Sequence, residues 1–176
     1  MIDKVVLAGF GGQGVLFIGK ILAYAGMLEE RKVCWIPSYG PEMRGGTANC
    51  SVIISDEEIL STVLEYADAG IVLNQPAYEK FLPFIKPGGT LVVNSSVVQA
   101  TNERADIEIV NVPAGIIASE LDNPSLANMV CLGALLNRLT TINLASVEKA
   151  VDEVVAKKRP HLRDVNLAAV QKGLNY

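Results

Sequence analysis

Two stretches of this 176-residue chain hold residue types at spacings that could do chemistry. The first is Gly9-Phe10-Gly11-Gly12-Gln13-Gly14. Within it Gly9, Gly11 and Gly14 have the G-x-G-x-x-G spacing of dinucleotide-binding turns. Glycine reaches backbone angles closed to other residues and lets a ligand or another backbone come close. The apolar run Val5-Val6-Leu7-Ala8 precedes the turn, and a helical pattern beginning Val15-Leu16-Phe17-Ile18 follows it. Strand, turn and helix in that order set the free N–H groups of a helix N-terminus beside the glycines, a seat for an anion. The second stretch is Ser38-Tyr39-Gly40-Pro41-Glu42-Met43-Arg44-Gly45-Gly46-Thr47. Its Gly-Pro and Gly-Gly pairs forbid a regular helix. It is a loop off the carboxyl end of a second apolar run, Val33-Cys34-Trp35-Ile36, where an open parallel sheet gathers its ligands. Arg44 offers a planar fork for carboxylate or phosphate. A plain covering loop with a local Glu42–Arg44 pair fits the same residues.

A dinucleotide site makes a further demand. An acid for the ribose belongs roughly 20 residues after the turn, at the end of the second strand. Glu29 and Glu30 precede that strand, and Pro37-Ser38 ends it. The turn therefore keeps three readings: a helix packed tightly on a sheet with no ligand, a seat for an anion or another ligand, or a dinucleotide site without that ribose acid. A stand-alone Rossmann-type dinucleotide-binding oxidoreductase stays as the alternative to the function reached below. The lone His161 has no acidic or histidine cluster at metal-ligand spacing, so neither a metal site nor a histidine-based triad can be built on it. Cys34, Cys50 and Cys131 are far apart and none belongs to a C-x-x-C pair. They read as buried side chains, with neither disulfide framework nor cysteine-held cluster expected within this chain.

The elements that must position the two loops follow from the apolar pattern. Residues 4–8 form a strand, 12–28 a helix and 32–36 a second strand, a βαβ unit with parallel strands and a right-handed crossover. Gly19, Ala23 and Gly26 give the helix a small face that can lie close to a sheet. Strands are expected at 52–54, 69–73, 90–94 and 107–112. The runs at 69–73 and 90–94 are continuously apolar, which marks burial on both faces and a mainly parallel sheet. Asn74-Gln75-Pro76 opens a short helix running to Phe84, and Pro87-Gly88-Gly89 reads as a turn. The last third is helical. Asn123-Pro124 starts a helix over 125–139 that is apolar almost all round. Two more follow, over 144–158 and 162–172. The fold class is α/β: a Rossmann-like three-layer sandwich with a mainly parallel sheet and a helical C-terminal third, read as a single domain over residues 1–176.

Composition limits the partners. Half of the residues are hydrophobic and 19% charged, with a mean hydropathy of +0.32. That balance leans toward buried strands or a sizeable subunit interface. No apolar run approaches the ~20 residues that span a bilayer. The N-terminus has no signal-peptide pattern, so a cytoplasmic location is expected, without membrane. A net charge of −4 and no large basic patch argue against nucleic acid. The basic run Lys157-Lys158-Arg159 sits at a helix end, where cations complement the dipole.

Taken together, G-F-G-G-Q-G at 9–14 and S-Y-G-P-E-M-R-G-G-T-A at 38–48 resemble the gamma subunit of the 2-oxoacid:ferredoxin oxidoreductases, the family of the pyruvate, 2-oxoglutarate and 2-ketoisovalerate enzymes. Tyr66-Ala67-Asp68, Asn74-Gln75-Pro76, Lys86-Pro87-Gly88-Gly89-Thr90, Asn128-Met129-Val130 and Leu132-Gly133-Ala134 extend the likeness to about residue 155. The resemblance implies a subunit of a complex that oxidatively decarboxylates a 2-oxoacid with coenzyme A, yielding acyl-CoA, carbon dioxide and reduced ferredoxin. It implies thiamine diphosphate with Mg2+ between alpha and beta subunits, and [4Fe-4S] clusters on beta or a small delta subunit. This chain would bind none of these alone and hold no catalytic residue. Its implied role is assembly and shaping of the site, with a part in the coenzyme A pocket. The candidates for that pocket are the backbone of Gly11, Gly12 and Gly14, the Gln13 amide, Tyr39 as a packing surface and Arg44 as a phosphate partner. The form E-M-R-G-G-T-A-N is closer to the 2-oxoglutarate or branched-chain members.

Overall fold

The computed structural model describes residues 1–38, 47–101 and 104–176. Six strands, β1 (Ile2–Phe10), β2 (Lys32–Ser38), β3 (Thr47–Ser55), β4 (Ala67–Val72), β5 (Ile85–Asn94) and β6 (Glu108–Val112), form one sheet. The helices are α1 (Val15–Leu28), α2 (Gln75–Phe81), α3 (Ala114–Glu120), α4 (Ala127–Leu136), α5 (Leu144–Val151) and α6 (Arg163–Gly173). Short 3-10 turns at Leu82–Phe84, Pro124–Leu126 and Pro160–Leu162 lead out of α2 and into α4 and α6.

The sheet order is β2-β3-β1-β4-β5-β6. The neighbours β1, β4, β5 and β6 run parallel, while β3 is antiparallel to both β1 and β2. This corrects the simple βαβ reading of the first unit. β1 and β2 do point the same way, but β3 lies between them, with Leu7 opposite Cys50 and Pro37 also opposite Cys50. A short connection between successive strands favours an antiparallel neighbour, whereas the crossover through α1 leaves room for one strand to insert. The inserted strand keeps both loops at the same end of the sheet. Gly9 faces Ala48, and Ser38 faces Asn49.

Two apolar layers flank the sheet. One face meets α1 and the four C-terminal helices through Leu7, Ile54, Ile71 and Val92. The other meets α2 through Val6, Ala8, Val72 and Val93. Every residue from Asn128 to Leu136 of α4 is buried, as its all-round apolar pattern requires. On α1 the small face does what the sequence suggests: a Cβ at Gly26 would come within 3.0 Å of Val33 and Ile54 side-chain atoms. Caps set the helix starts. Asn74 Oδ1 accepts from Ala77 N at 2.9 Å, with Pro76 in the first turn, and Asn143 and Ser146 cap α5 reciprocally. Buried Asp3 accepts four hydrogen bonds, from the amides and hydroxyls of Thr140 and Thr141, tying β1 to the link between α4 and α5.

Some boundaries differ from expectation. Pro87-Gly88-Gly89 is no separate turn. It lies within β5, where the register to β4 slips between Ala67–Ile85 and Ala69–Thr90, and a Cβ at Gly89 would meet Asp68 O at 2.6 Å. The helix expected over 125–139 becomes a 3-10 turn followed by α4, ending at Leu136. The one expected over 144–158 is regular only to Val151, and residues Asp152–Ala156 form a π-helical turn. The short helix α3 has no counterpart in the sequence pattern because Pro113, not a capping side chain, precedes it.

Candidate functional site at the glycine turn

β1 ends at Phe10, whose carbonyl accepts from Gln13 N at 3.1 Å and closes the turn. Gly12 and Gly14 have φ of +97° and +76°, the left-handed region that favours glycine. Gly14 is the N-cap of α1, and no side chain caps that helix. The N–H groups of Val15, Leu16 and Phe17 donate to no acceptor among the described residues. The first helical bond runs from Ile18 N to Gly14 O at 3.1 Å. These donors are the orphan groups that make a helix start attractive to an anion.

The Gln13 side chain is already busy. Its Oε1 accepts from Phe10 N at 2.7 Å and Asn74 Nδ2 at 3.1 Å, and its Nε2 donates to Leu73 O at 3.1 Å. It staples the turn to the carboxyl end of β4, leaving one amide hydrogen uncommitted. The staple lies where α1 leaves β1 for one face of the sheet and α2 leaves β4 for the other, the switch point at which doubly wound sheets place ligands. On the far side of the turn, Asn128 Nδ2 donates to Gly14 O at 3.3 Å.

Two cavities flank the turn and share Gly12, Gly14 and Phe17. One, of about 330 Å³, is lined largely by apolar groups such as Phe10, Leu16 and Phe17, with Ser38, Thr47 and Ala48 at the ends of β2 and β3. The other, of about 400 Å³, lies between the turn, the start of α4 and the end of α5. Its wall includes Asn123, Ser125, Asn128, Lys158, Arg159 and Asn166. The glycine candidates Gly11, Gly12 and Gly14 and Gln13 are thus brought together. Tyr39 and Arg44 lie outside the described residues, although their flanking neighbours Ser38 and Thr47 line the smaller cavity.

The basic run at 157–159 is more than a helix end. Lys157 pairs with Glu153, but Lys158 and Arg159 form part of the cavity wall some 145 residues away in sequence from the turn. Only tertiary packing brings them there, so no local pattern could have assigned them to the site. The cysteines are not arranged as ligands. Burial pushes the thiols of Cys50 and Cys131 up to about 12, and Cys34 is half-buried in β2. No group of three or more potential metal-ligating side chains occurs among the described residues, and no helix there is long and apolar enough to cross a membrane.

Residues 4–176 match the family described as Pyruvate ferredoxin/flavodoxin oxidoreductase. The chain belongs to that family. Among oxidoreductases of this family it is 37% identical over 176 residues to the 2-oxoglutarate synthase subunit KorC of Methanocaldococcus jannaschii, covering 98% of this chain and 92% of that one. It is 36% identical over 174 residues to the ketoisovalerate oxidoreductase subunit VorA of Methanothermobacter thermautotrophicus, covering 98% of this chain but 36% of that one. The chain thus spans about a third of the length of VorA and nearly all of KorC. Its fold is that of the solved keto/oxoacid ferredoxin oxidoreductase gamma subunit of Geobacter sulfurreducens, with a TM-score of 0.87, 28% identity and coverage of 99% and 95%. It also superposes, with a TM-score of 0.89 and 25% identity, on 30% of a chain of the Magnetococcus marinus 2-oxoglutarate:ferredoxin oxidoreductase, solved with 2-oxoglutarate, coenzyme A and succinyl-CoA bound. In fold and length this family member corresponds to the gamma-type subunits.

Proposed function

We propose that this chain is the gamma subunit of a multi-subunit 2-oxoacid:ferredoxin oxidoreductase, acting on 2-oxoglutarate, or else 2-ketoisovalerate or pyruvate. The complex would convert a 2-oxoacid, coenzyme A and two oxidised ferredoxins into acyl-CoA, carbon dioxide, two reduced ferredoxins and a proton. Alpha and beta subunits, with a delta subunit in some arrangements, would hold thiamine diphosphate, Mg2+ and the [4Fe-4S] clusters that carry the electrons. The observation that carries this reading is the end-to-end likeness to KorC and to the Geobacter gamma subunit. This chain spans only 36% of VorA, and the further length of that relative is consistent with a partner beside this fold.

Within that complex the chain shapes the site and contributes to the coenzyme A pocket. The support is the cluster of unaccepted N–H groups at the start of α1, the two cavities beside it, and coenzyme A bound in the Magnetococcus relative. Gly11, Gly12 and Gly14 offer backbone donors, while Gln13 holds the turn to β4 and presents its remaining amide hydrogen. Tyr39, for packing, and Arg44, for charge, are the further candidates for that pocket, and both lie outside the described residues. Anaerobic purification from native cells should recover this chain with thiamine- and cluster-bearing subunits and with coenzyme A-dependent ferredoxin reduction on one 2-oxoacid. Recovery as a lone chain without that activity would refute the subunit assignment. In the assembled complex, Arg44→Ala should raise the KM for coenzyme A roughly tenfold, the loss of about one charge-assisted hydrogen bond. Unchanged coenzyme A kinetics in an assembled complex would remove Arg44 from the pocket.

A further inference from the structure

The end of the sheet opposite the glycine turn carries an apolar surface that no described residue covers. There β1 and β4 begin, and β3 and α1 end. Most of the large apolar side chains exposed among the described residues lie at this end. Met27 and Leu28 stand at the end of α1, Ile2 at the start of β1, and Leu60, Val63 and Tyr66 on the link from β3 to β4. Leu60 is 94% exposed and Val63 76%. A scattered exposed leucine is ordinary. A contiguous group marks an interaction surface. The group here is contiguous, since Ile2, Val63 and Tyr66 line one hollow of about 540 Å³.

The link is pinned at both ends and bare between them. Asp56 pairs with Arg31, just beyond α1, and its N–H donates to Met1 O at 3.0 Å. Asp68 accepts from Lys4 N at 2.7 Å and pairs with Lys86. Between these anchors, residues 57–65 make no backbone–backbone hydrogen bond among the described residues. The anchors fix where Leu60, Val63 and Tyr66 stand, and nothing described buries them.

Charge indicates what does. Glu30, Glu57, Glu58 and Glu65 are exposed around the patch without a cationic partner among the described residues, against only Lys4 and Lys32 without a carboxylate one. An apolar centre with an acidic rim fits a partner whose apolar face is rimmed with Lys and Arg. A second copy of this chain fits badly, because a two-fold axis would set the acidic rims against each other. The matched chain is 36% of VorA and 30% of the Magnetococcus chain, so both of those polypeptides continue well beyond this fold.

We propose that this end of the sheet is the docking face for another subunit of the same complex, one whose contacting surface is apolar with a basic rim. The existence of that subunit rests on the proposed function, and its place rests on the exposed side chains. The face lies at the far end of the strands from the glycine turn, so a partner seated there leaves the turn and its two cavities uncovered.

The test uses the assembled complex, purified anaerobically, with dissociation followed by light scattering on dilution for wild type and Leu60→Ser/Val63→Ser. The dissociation constant should rise roughly tenfold or more for each lost anchor. The variant chain, separated from the complex, should unfold at the wild-type temperature, because both side chains are exposed. Salt should weaken the wild-type complex, and Glu57→Gln/Glu58→Gln should flatten that dependence. A dissociation constant unchanged in the serine pair overturns the proposal. So does a homodimer of this chain that the serine pair abolishes while the hetero-complex persists. A salt dependence unchanged in the glutamine pair overturns the basic rim of the partner. A complex that assembles without coenzyme A-dependent ferredoxin reduction refutes the proposed function and leaves the dissociation constants to decide the face. A wild-type chain recovered alone overturns both. Should the serine pair fail to fold, Leu60→Gln/Val63→Thr gives the same readout with bulk retained.

Discussion

Gly14 answers two demands at one position. Its φ of +76° is strained for any side chain, and a Cβ there would overlap the amide nitrogen of Asn128. Gly12 has the first demand alone, since nothing lies within 4 Å of an added Cβ. The two glycines should therefore respond differently. Gly14→Ala is expected to lose about 1–3 kcal/mol of unfolding free energy from backbone strain, plus the cost of displacing Asn128. Gly12→Ala should lose only the strain. Urea denaturation of both variants checks this, and equal losses would show that the Asn128 contact has no weight. The same contact explains why the G-x-G-x-x-G spacing was readable while its meaning was not. The residue facing Gly14 lies 114 positions along the chain, and nothing local reports it.

Helices α4 and α6 cross backbone against backbone. A Cβ at Gly133 would strike the carbonyl of Val170, and one at Gly173 would strike the carbonyl of Val130. These are backbone atoms and cannot swing aside, so Gly133→Ala is expected to cost about 1–3 kcal/mol or more by overpacking. A thermal unfolding midpoint unchanged from wild type would contradict that close crossing. The apolar runs at β4 and β5 and the all-round apolar α4 were legible because burial on every side leaves a direct trace in residue type. The antiparallel insertion of β3 was not, because strand order depends on which edges meet rather than on the periodicity of any one strand. The β5 bulge hid behind Pro87-Gly88-Gly89, residues that serve a turn and a slipped register equally well. The π-helical turn left no compositional mark at all, and with it went the chance of assigning Lys158 and Arg159 to a site.

At the scale of the molecule, long-range polar ties close what hydrophobic layering leaves open. Asp3, near the N-terminus, takes four hydrogen bonds from Thr140 and Thr141 in a buried setting. Removing the carboxylate leaves the amides and hydroxyls of Thr140 and Thr141 to find new partners, those of Thr141 in a buried setting. Asp3→Ala should destabilise the fold by about 1–3 kcal/mol or more, read by chemical denaturation. Loss of less than half that would mean that water replaces the carboxylate readily. Charge is also distributed unevenly on this scale. In a net-acidic chain, Lys158 and Arg159 have no carboxylate partner among the described residues and lie on the wall of one cavity, which favours anions at that place.

The strand wedged between β1 and β2 also bears on how the protein comes into being. Residues 1–38 hold two strands that share no hydrogen bond in the finished sheet. Until β3 has left the ribosome, both can only wait, with Val5, Leu7, Val33 and Trp35 lacking the neighbour that will separate and join them. β3 bridges this half of the sheet, so β1 and β2 are expected to become ordered together once Ser55 has emerged. Limited proteolysis of nascent chains stalled before and after the point at which Ser55 clears the ribosome would show that ordering.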